Sequence, residues 1–183
     1  VILCFSGDLS ASGSTTEINS GRAFINKVII AMSKSLKCGH IETYIVPGNH
    51  DISIPESGHS SADILSWNRN EKIESELREM KPFFEYAHSI GCFVNNELID
   101  DITIDLDGKT LQLTLLNSAP FSTRQNDNKE LHFFPSSICD KLVRKKDTDY
   151  KITMVHHSYE WFEWDTKETV SYTHLTLPTS DLV

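Results

Sequence analysis

Three short polar segments hold the residue types that could do chemistry in this chain. Each follows directly on an apolar run, and they are Gly7-Asp8, Gly48-Asn49-His50-Asp51 and His156-His157. Asp and Asn supply oxygen donors, and imidazole can bind a metal or move a proton near neutral pH. Gly lets the backbone turn tightly enough to present these groups. The same residues are common in ordinary turns, so their chemistry depends on what the surrounding elements bring together.

The elements predicted around the first two segments place both at one edge of a sheet. Val1–Phe5 is a continuous apolar run, which is typical of a strand covered on both faces. Glu17–Lys37 has apolar residues at helical spacing, and Ile41–Val46 predicts the next strand. Ligands of open α/β sheets bind beyond the carboxyl ends of such strands, which is where Asp8 and Asn49 fall.

The rest of the chain predicts further helices and a β region, and therefore an α/β fold of two layers or a sandwich. Asp-Gly between two apolar alternations is a strong hairpin signal. The remaining predicted elements are a helix over Ala62–Ser89 interrupted near Pro82, a β segment at Cys92–Val94, a hairpin of Ile99–Leu106 and Leu111–Leu116, a polar loop over Asn117–Glu130, a helix over Pro135–Lys146 and a strand over Tyr150–Val155.

Composition indicates a globular protein and limits the classes of partner that it could bind. The 183 residues are 39% hydrophobic and 23% charged, with a net charge of −9. This charge argues against a general nucleic-acid binder but allows a phosphate substrate, because divalent cations would reverse the local field. We expect no membrane association. The cysteines form no C-x-x-C pair, and we expect Cys4 and Cys92 to be buried free thiols in a reducing, cytoplasmic setting.

Taken together, the three polar segments resemble the calcineurin-like metallophosphoesterase family. The blocks of that family run Asp-x-His, Gly-Asp, Gly-Asn-His-Asp/Glu, His and Gly-His-x-His, and the middle three occur here in order. The resemblance covers most of residues 1–160. It implies a sandwich of mixed β-sheets flanked by helices. It also implies two divalent metal ions (Mn, Fe or Zn) and hydrolysis of a phosphomonoester or phosphodiester by a metal-bridged hydroxide.

The resemblance assigns a role to each matching residue. Asp8 matches the carboxylate that bridges both metals, while Asn49 and His156 match ligands of the second metal. His50 matches the residue that faces the substrate, where it would stabilise the transferring phosphoryl group or protonate the leaving oxygen. Asp51 completes the motif without direct chemistry and would orient the backbone or the imidazole.

The chain departs from the family pattern at positions that indicate its branch of the family and its class of substrate. Protein serine/threonine phosphatases of the family carry an Asp-Arg pair where this chain has Ala11 and Ser12. The chain therefore looks more like the bacterial branch that includes cyclic-nucleotide phosphodiesterases. We expect a phosphate-ester small molecule or a nucleotide as substrate, with fusion to further domains possible in the parent protein. His157 is interpreted as a substrate-edge or structural residue, and Trp161 as a cleft wall or as packing on the sheet.

Both ends of the sequence carry expectations of their own. Val1 lies inside a predicted strand, and we interpret the N-terminus as truncated upstream of the first family block. Val170–Val183 resembles the translation of a sequencing adapter. We therefore expect a partial metallophosphoesterase domain over residues 1–169 and a non-native tail over residues 170–183. Lacking two blocks, this chain alone is expected to be inactive. The alternative is a non-catalytic scaffold of the same fold that binds protein partners.

Overall fold

The computed structural model describes residues 1–53, 69–95, 97–121, 147–158 and 161. Five strands, three α-helices and two 3-10 turns occur in these ranges. In chain order they are β1 (Ile2–Phe5), α1 (Thr15–Leu36), β2 (Glu42–Ile45), a 3-10 turn (Asn49–Asp51), α2 (Arg69–Glu79), α3 (Lys81–Ser89), β3 (Ile99–Leu106), β4 (Lys109–Leu116), a second 3-10 turn (Ala119–Phe121) and β5 (Tyr150–Val155). None of the helices in the described ranges is long and apolar enough to cross a membrane.

The β1–α1–β2 unit sets the first two polar segments side by side. β1 and β2 pair in parallel, with Ile2 opposite Glu42 and Phe5 opposite Ile45. Helix α1 begins after Ser14, whose side chain accepts a hydrogen bond from the Glu17 backbone N–H, as expected of an N-cap. Because the two strands are parallel and in this register, their carboxyl ends meet at one edge of the sheet.

A second sheet brings the third polar segment. β3 and β4 form the predicted hairpin, and β5 pairs in parallel with β4 on its other side. Asp107 and Gly108 connect the hairpin with φ values of 54° and 83°. A two-residue type I′ turn requires positive φ at both positions, so the Asp-Gly prediction is confirmed.

One hydrophobic core joins the two sheets and the helices. The buried residues that form it include Ile18, Ile25, Ile45, Val46, Phe83, Phe93, Leu113, Leu115 and Met154. The chain passes from α2 to α3 at Met80, so the predicted interruption near Pro82 is confirmed, and Pro82 lies in the first turn of α3, where a missing N–H is tolerated. The α/β fold class with two sheets, one of them mixed, is likewise confirmed.

Three sequence-based expectations differ from the structure. Cys4 is exposed rather than buried, whereas Cys92 is fully buried as predicted. Cys92–Val94 is irregular rather than a strand. The spacing of the glutamates in this helix predicts a solvent face, yet Glu76 is only 8% exposed, because it shares one face of α2 with the buried Ile73.

Several other predictions fall outside the described residues. They are the helical prediction for Ala62–Asn68, most of the Asn117–Glu130 loop, the Pro135–Lys146 helix and the Val170–Val183 tail. These remain predictions, as does the domain boundary at Thr169.

Candidate active site

Asp8 is presented by an unusual backbone immediately after β1. Gly7 has φ 109° and Asp8 has φ 57°, in the left-handed region that a non-Gly residue seldom adopts. A Cβ on Gly7 would come within 2.4 Å of His156 Nδ1. Gly7 therefore has to be glycine both for its φ and for the approach of this imidazole. Such backbone outliers cluster at functional sites, where the surrounding structure holds them in place.

Gly48 lets the second polar segment close onto Asp8. A Cβ at this position would lie 2.1 Å from Asp8 Oδ1 and 2.5 Å from the Asp8 backbone nitrogen. The His50 backbone N–H donates to Asp8 Oδ1 over 3.2 Å. The Asn49–Asp51 turn and the loop after β1 are therefore in direct contact through the Asp8 carboxylate.

Asp51 holds these two loops together from beneath. Its carboxylate is fully buried, and it accepts hydrogen bonds from Gly48 N–H (2.9 Å), Ser10 N–H (2.8 Å) and Ser10 Oγ (3.1 Å). Ser10 Oγ also lies 2.9 Å from the His50 carbonyl oxygen, an alternative acceptor for its proton. Burial raises the pKa of Asp51, and the backbone hydrogen bonds from Gly48, Leu9 and Ser10 oppose that rise. Asp51 thus orients backbone, one of the two roles expected for it. No sequence pattern predicted the contact of Ser10 with Asp51.

His156 faces the same point from β5. Its Nδ1 is 2.7 Å from the Ser6 carbonyl oxygen, which can only accept, so Nδ1 carries a proton. Its Nε2 lies 3.2 Å from Asn49 Oδ1 and 3.6 Å from Asp8 Oδ1. We call Asp8, Asn49 and His156 the strand-end cluster. The structure brings these three sequence-predicted ligands together.

The strand-end cluster has the donor chemistry of a divalent metal site. When Nδ1 holds its proton on a carbonyl, neutral imidazole offers the Nε2 lone pair to the metal, an arrangement common among metal-binding histidines. Carboxylate oxygen, amide oxygen and imidazole nitrogen then turn lone pairs toward one another, and a cation among them would satisfy all three. In the described ranges no group of three His, Cys, Asp or Glu residues is placed to hold a metal. The cluster has two such residues, and its third donor is an amide.

His50 lies beside the cluster and is exposed to solvent. Its Nδ1 is 3.0 Å from the Ala11 carbonyl oxygen, which fixes the ring and places the proton on Nδ1. A backbone carbonyl, and not an acidic side chain, is therefore the partner of this ring at Nδ1. The Nε2 atom is left as the ring position that can meet a substrate.

His157 points away from the cluster into the protein. It is 5% exposed, with Nδ1 2.6 Å from Ser118 Oγ and its ring stacked on Trp161 at 5.7 Å. It also contacts the His156 ring edge to face, at 4.8 Å. Of the two roles expected for His157, the geometry favours the structural one, and Trp161 packs on the His157 ring. Ser118 was not anticipated, since a lone Ser after a strand carries no signal.

Comparison with known proteins identifies the family. A model of the calcineurin-like phosphoesterase family matches residues 1–180. The chain belongs to that family. The match confirms the resemblance carried by the three polar segments and, at the level of the family, supports a metal-dependent phosphoester hydrolase. No curated protein and no solved structure matches the chain.

Proposed function

We propose that the strand-end cluster binds the second ion of a dinuclear centre, in a phosphoesterase that hydrolyses a phosphomonoester or a phosphodiester. The observation that supports this most directly is the convergence of Asn49 Oδ1 and Asp8 Oδ1 on His156 Nε2, at 3.2 and 3.6 Å. Each donor comes from a different strand end, so ordinary turn formation does not account for their meeting. The metals would be Mn, Fe or Zn, and Asp8 would serve as a ligand of both.

The chain's own residues would have two roles, which are to hold the metal ions and to transfer a proton. Bound divalent ions would supply Lewis acidity that neutralises phosphoryl charge and acidifies water. Asp8 and Asn49 are kept in place by the buried Asp51 carboxylate and the absence of a Gly48 side chain. In its doubly protonated form, His50 would stabilise the phosphoryl group or give its Nε2 proton to the leaving oxygen, while its Nδ1–H stays on the Ala11 carbonyl and holds the ring.

We propose a phosphate-ester small molecule or a nucleotide as substrate, and a bacterial-type, cytoplasmic enzyme. The exposed position of His50 suits a substrate that approaches from solvent. The net charge of −9 disfavours nucleic acid, since a polyanion would be repelled outside the metal centre.

Hydrolysis is tested on the full-length product of the gene, because Asp-x-His and Gly-His-x-His do not occur among these 183 residues. The substrates are bis(p-nitrophenyl) phosphate and p-nitrophenyl phosphate, each with Mn, Fe or Zn. We expect turnover with at least one metal. His50→Ala should lower kcat by about 10²–10⁴-fold, the usual contribution of general acid–base catalysis. His88→Ala, which removes an exposed helix histidine, is the matched control.

Two results would count against this function. Absence of turnover with every metal and both substrates would favour the non-catalytic scaffold. Turnover that His50→Ala and His88→Ala affect equally would remove His50 from the reaction and leave the metal centre as the only part of the proposal standing.

A further inference from the structure

The backbone partner of His50 belongs to a peptide group whose other end is held by a carboxylate. The Ala11 carbonyl oxygen, which lies 3.0 Å from His50 Nδ1, shares the Ala11–Ser12 peptide with the Ser12 N–H. That N–H donates to Glu17 Oε2 over 2.8 Å, and the Ser12 hydroxyl donates to the same oxygen over 2.6 Å. The imidazole, the peptide and the carboxylate therefore form one hydrogen-bonded series.

The geometry of the Ala11–Ser12 peptide links the two ends of this series. The peptide is trans, so its C=O and N–H point to opposite sides of one plane. A carboxylate on the N–H side favours the resonance form that places more negative charge on the carbonyl oxygen, and hydrogen bonds in series polarise one another in this way. The Ala11 carbonyl is therefore a stronger acceptor for His50 Nδ1–H when the ionised Glu17 side chain holds the Ser12 N–H.

Glu17 reaches this peptide by extending beyond the cap of its own helix. It is the third residue of α1, and Ser14 is the N-cap. A glutamate at this position commonly bonds back to the backbone N–H of the N-cap residue, whereas Glu17 Oε2 accepts from Ser12, two residues earlier. The hydrogen bond from the Ser12 hydroxyl is the main cause that lowers the pKa of Glu17, so the carboxylate is ionised at neutral pH. Capping of α1 does not by itself require this contact.

The loop on the other side of the peptide is also fixed. Ser10 Oγ accepts from the Gly13 N–H over 3.0 Å, which closes the chain between them into a turn. Gly13 has φ 69°, and a Cβ there would come within 2.2 Å of the Ile52 backbone carbon. The loop therefore lies directly against the chain that follows the Asn49–Asp51 turn, and Glu17 holds its outer side.

We propose that Glu17 is a positioning residue for His50 and acts through the Ala11–Ser12 peptide. Glu17 holds the plane of that peptide so that the Ala11 carbonyl keeps the proton of the neutral imidazole on Nδ1 and fixes the ring. The Nε2 atom is then left for the substrate. This role rests on the proposed function of His50, but the state of the ring is measurable without metal or substrate.

The test is nuclear magnetic resonance of the histidine ring nitrogens in the metal-free 183-residue chain, because their ¹⁵N shifts distinguish the Nδ1–H tautomer from the Nε2–H tautomer. The signals of His50 are those that are missing from His50→Gln. With the imidazole neutral, we expect the wild type to be mainly the Nδ1–H tautomer. Glu17→Ala should lower the ratio of Nδ1–H to Nε2–H by roughly two- to fivefold, as expected for the loss of one solvent-screened charge across a peptide. Glu17→Gln keeps an acceptor oxygen without the charge, and its ratio should lie between those of the wild type and Glu17→Ala.

Ser14→Ala is the matched structural control. It removes the N-cap hydroxyl of the same helix and leaves both hydrogen bonds between Ser12 and Glu17 in place, so the tautomer ratio should stay at its wild-type value. An unchanged ratio in Glu17→Ala would overturn the proposal. An equal fall in Ser14→Ala would also overturn it, because the effect would then come from the start of the helix and not from the carboxylate.

Kinetics of the full-length gene product give a second readout. Glu17→Ala should lower kcat by about two- to fivefold and leave KM unchanged, since Glu17 acts on the His50 ring and touches no substrate. A change confined to KM would overturn the proposal. Absence of turnover in the wild type would count against the proposed hydrolysis, whereas an active wild type with an unchanged tautomer ratio in Glu17→Ala would count against the role of Glu17 alone.

Discussion

Replacing Gly48 by Ala should disrupt the contact between the two loops that carry Asp8 and Asn49. The added Cβ would lie 2.1 Å from Asp8 Oδ1, while real Cβ atoms essentially never come closer than 3.0 Å to another heavy atom. The carboxylate must therefore move by about 0.9 Å, and the Asp8 backbone nitrogen at 2.5 Å blocks an easy escape. Overpacking of this kind costs about 1–3 kcal/mol. Loss of the hydrogen bond from His50 N–H adds about 1 kcal/mol.

We therefore expect Gly48→Ala to lower the free energy of unfolding by about 2–4 kcal/mol, measured by urea denaturation. Its affinity for Mn²⁺ should fall as well, since Asp8 no longer faces His156. Gly39→Ala is the matched control, because a Cβ there meets nothing within 4 Å, and it should be neutral or raise stability by up to about 1 kcal/mol. Equal stability and equal Mn²⁺ affinity in the two variants would refute the close approach of Gly48 to Asp8.

Three further changes test other parts of the structure. Asp51→Asn turns an amide N–H toward an existing donor, Ser10 N–H or Gly48 N–H. The free energy of unfolding, measured by urea denaturation, should therefore fall by about 2–3 kcal/mol. An unchanged denaturation midpoint would contradict the hydrogen bonds of the buried Asp51 carboxylate. Burial raises the pKa of the Cys92 thiol to about 11, so the folded state keeps a proton that the unfolded thiol loses near pH 8.5. The contribution of this thiol to the free energy of unfolding is fully present below about pH 8.5 and is lost as the pH rises toward 11. The stability difference between wild type and Cys92→Ala should therefore fall by about 2–3 kcal/mol over that interval, and a flat difference would contradict it. Gly108→Ala places a side chain on a residue with φ 83° and should lower the free energy of unfolding by about 1–2 kcal/mol. An unchanged free energy of unfolding would argue against the type I′ turn.

Local signals predicted most of the described fold. Asp107-Gly108 specified the hairpin because type I′ geometry needs residues that accept positive φ. The apolar runs ending at Asp8 and His156 specified strands, and their polar ends specified the candidate site. The strand and hairpin predictions were confirmed because each depends on chemistry within a few neighbouring residues, while the roles of the candidate site residues remain predictions.

Features that depend on distant partners could not be predicted. Ser10 meets Asp51 across 41 positions, and Ser118 meets His157 across 39. No periodicity encodes such pairs, because each is set by how the loops after two strands pack. Cys4 was misjudged for a related reason: an apolar run indicates a strand but does not show whether both of its faces are covered.

The central claim is that the strand-end cluster binds a divalent ion, and Mn²⁺ titration of the 183-residue chain followed by electron paramagnetic resonance tests it most directly. The account predicts saturable binding that is abolished in the double variant Asn49→Ala/His156→Gln and kept in His88→Ala. Binding of the same stoichiometry and affinity in the double variant would contradict it.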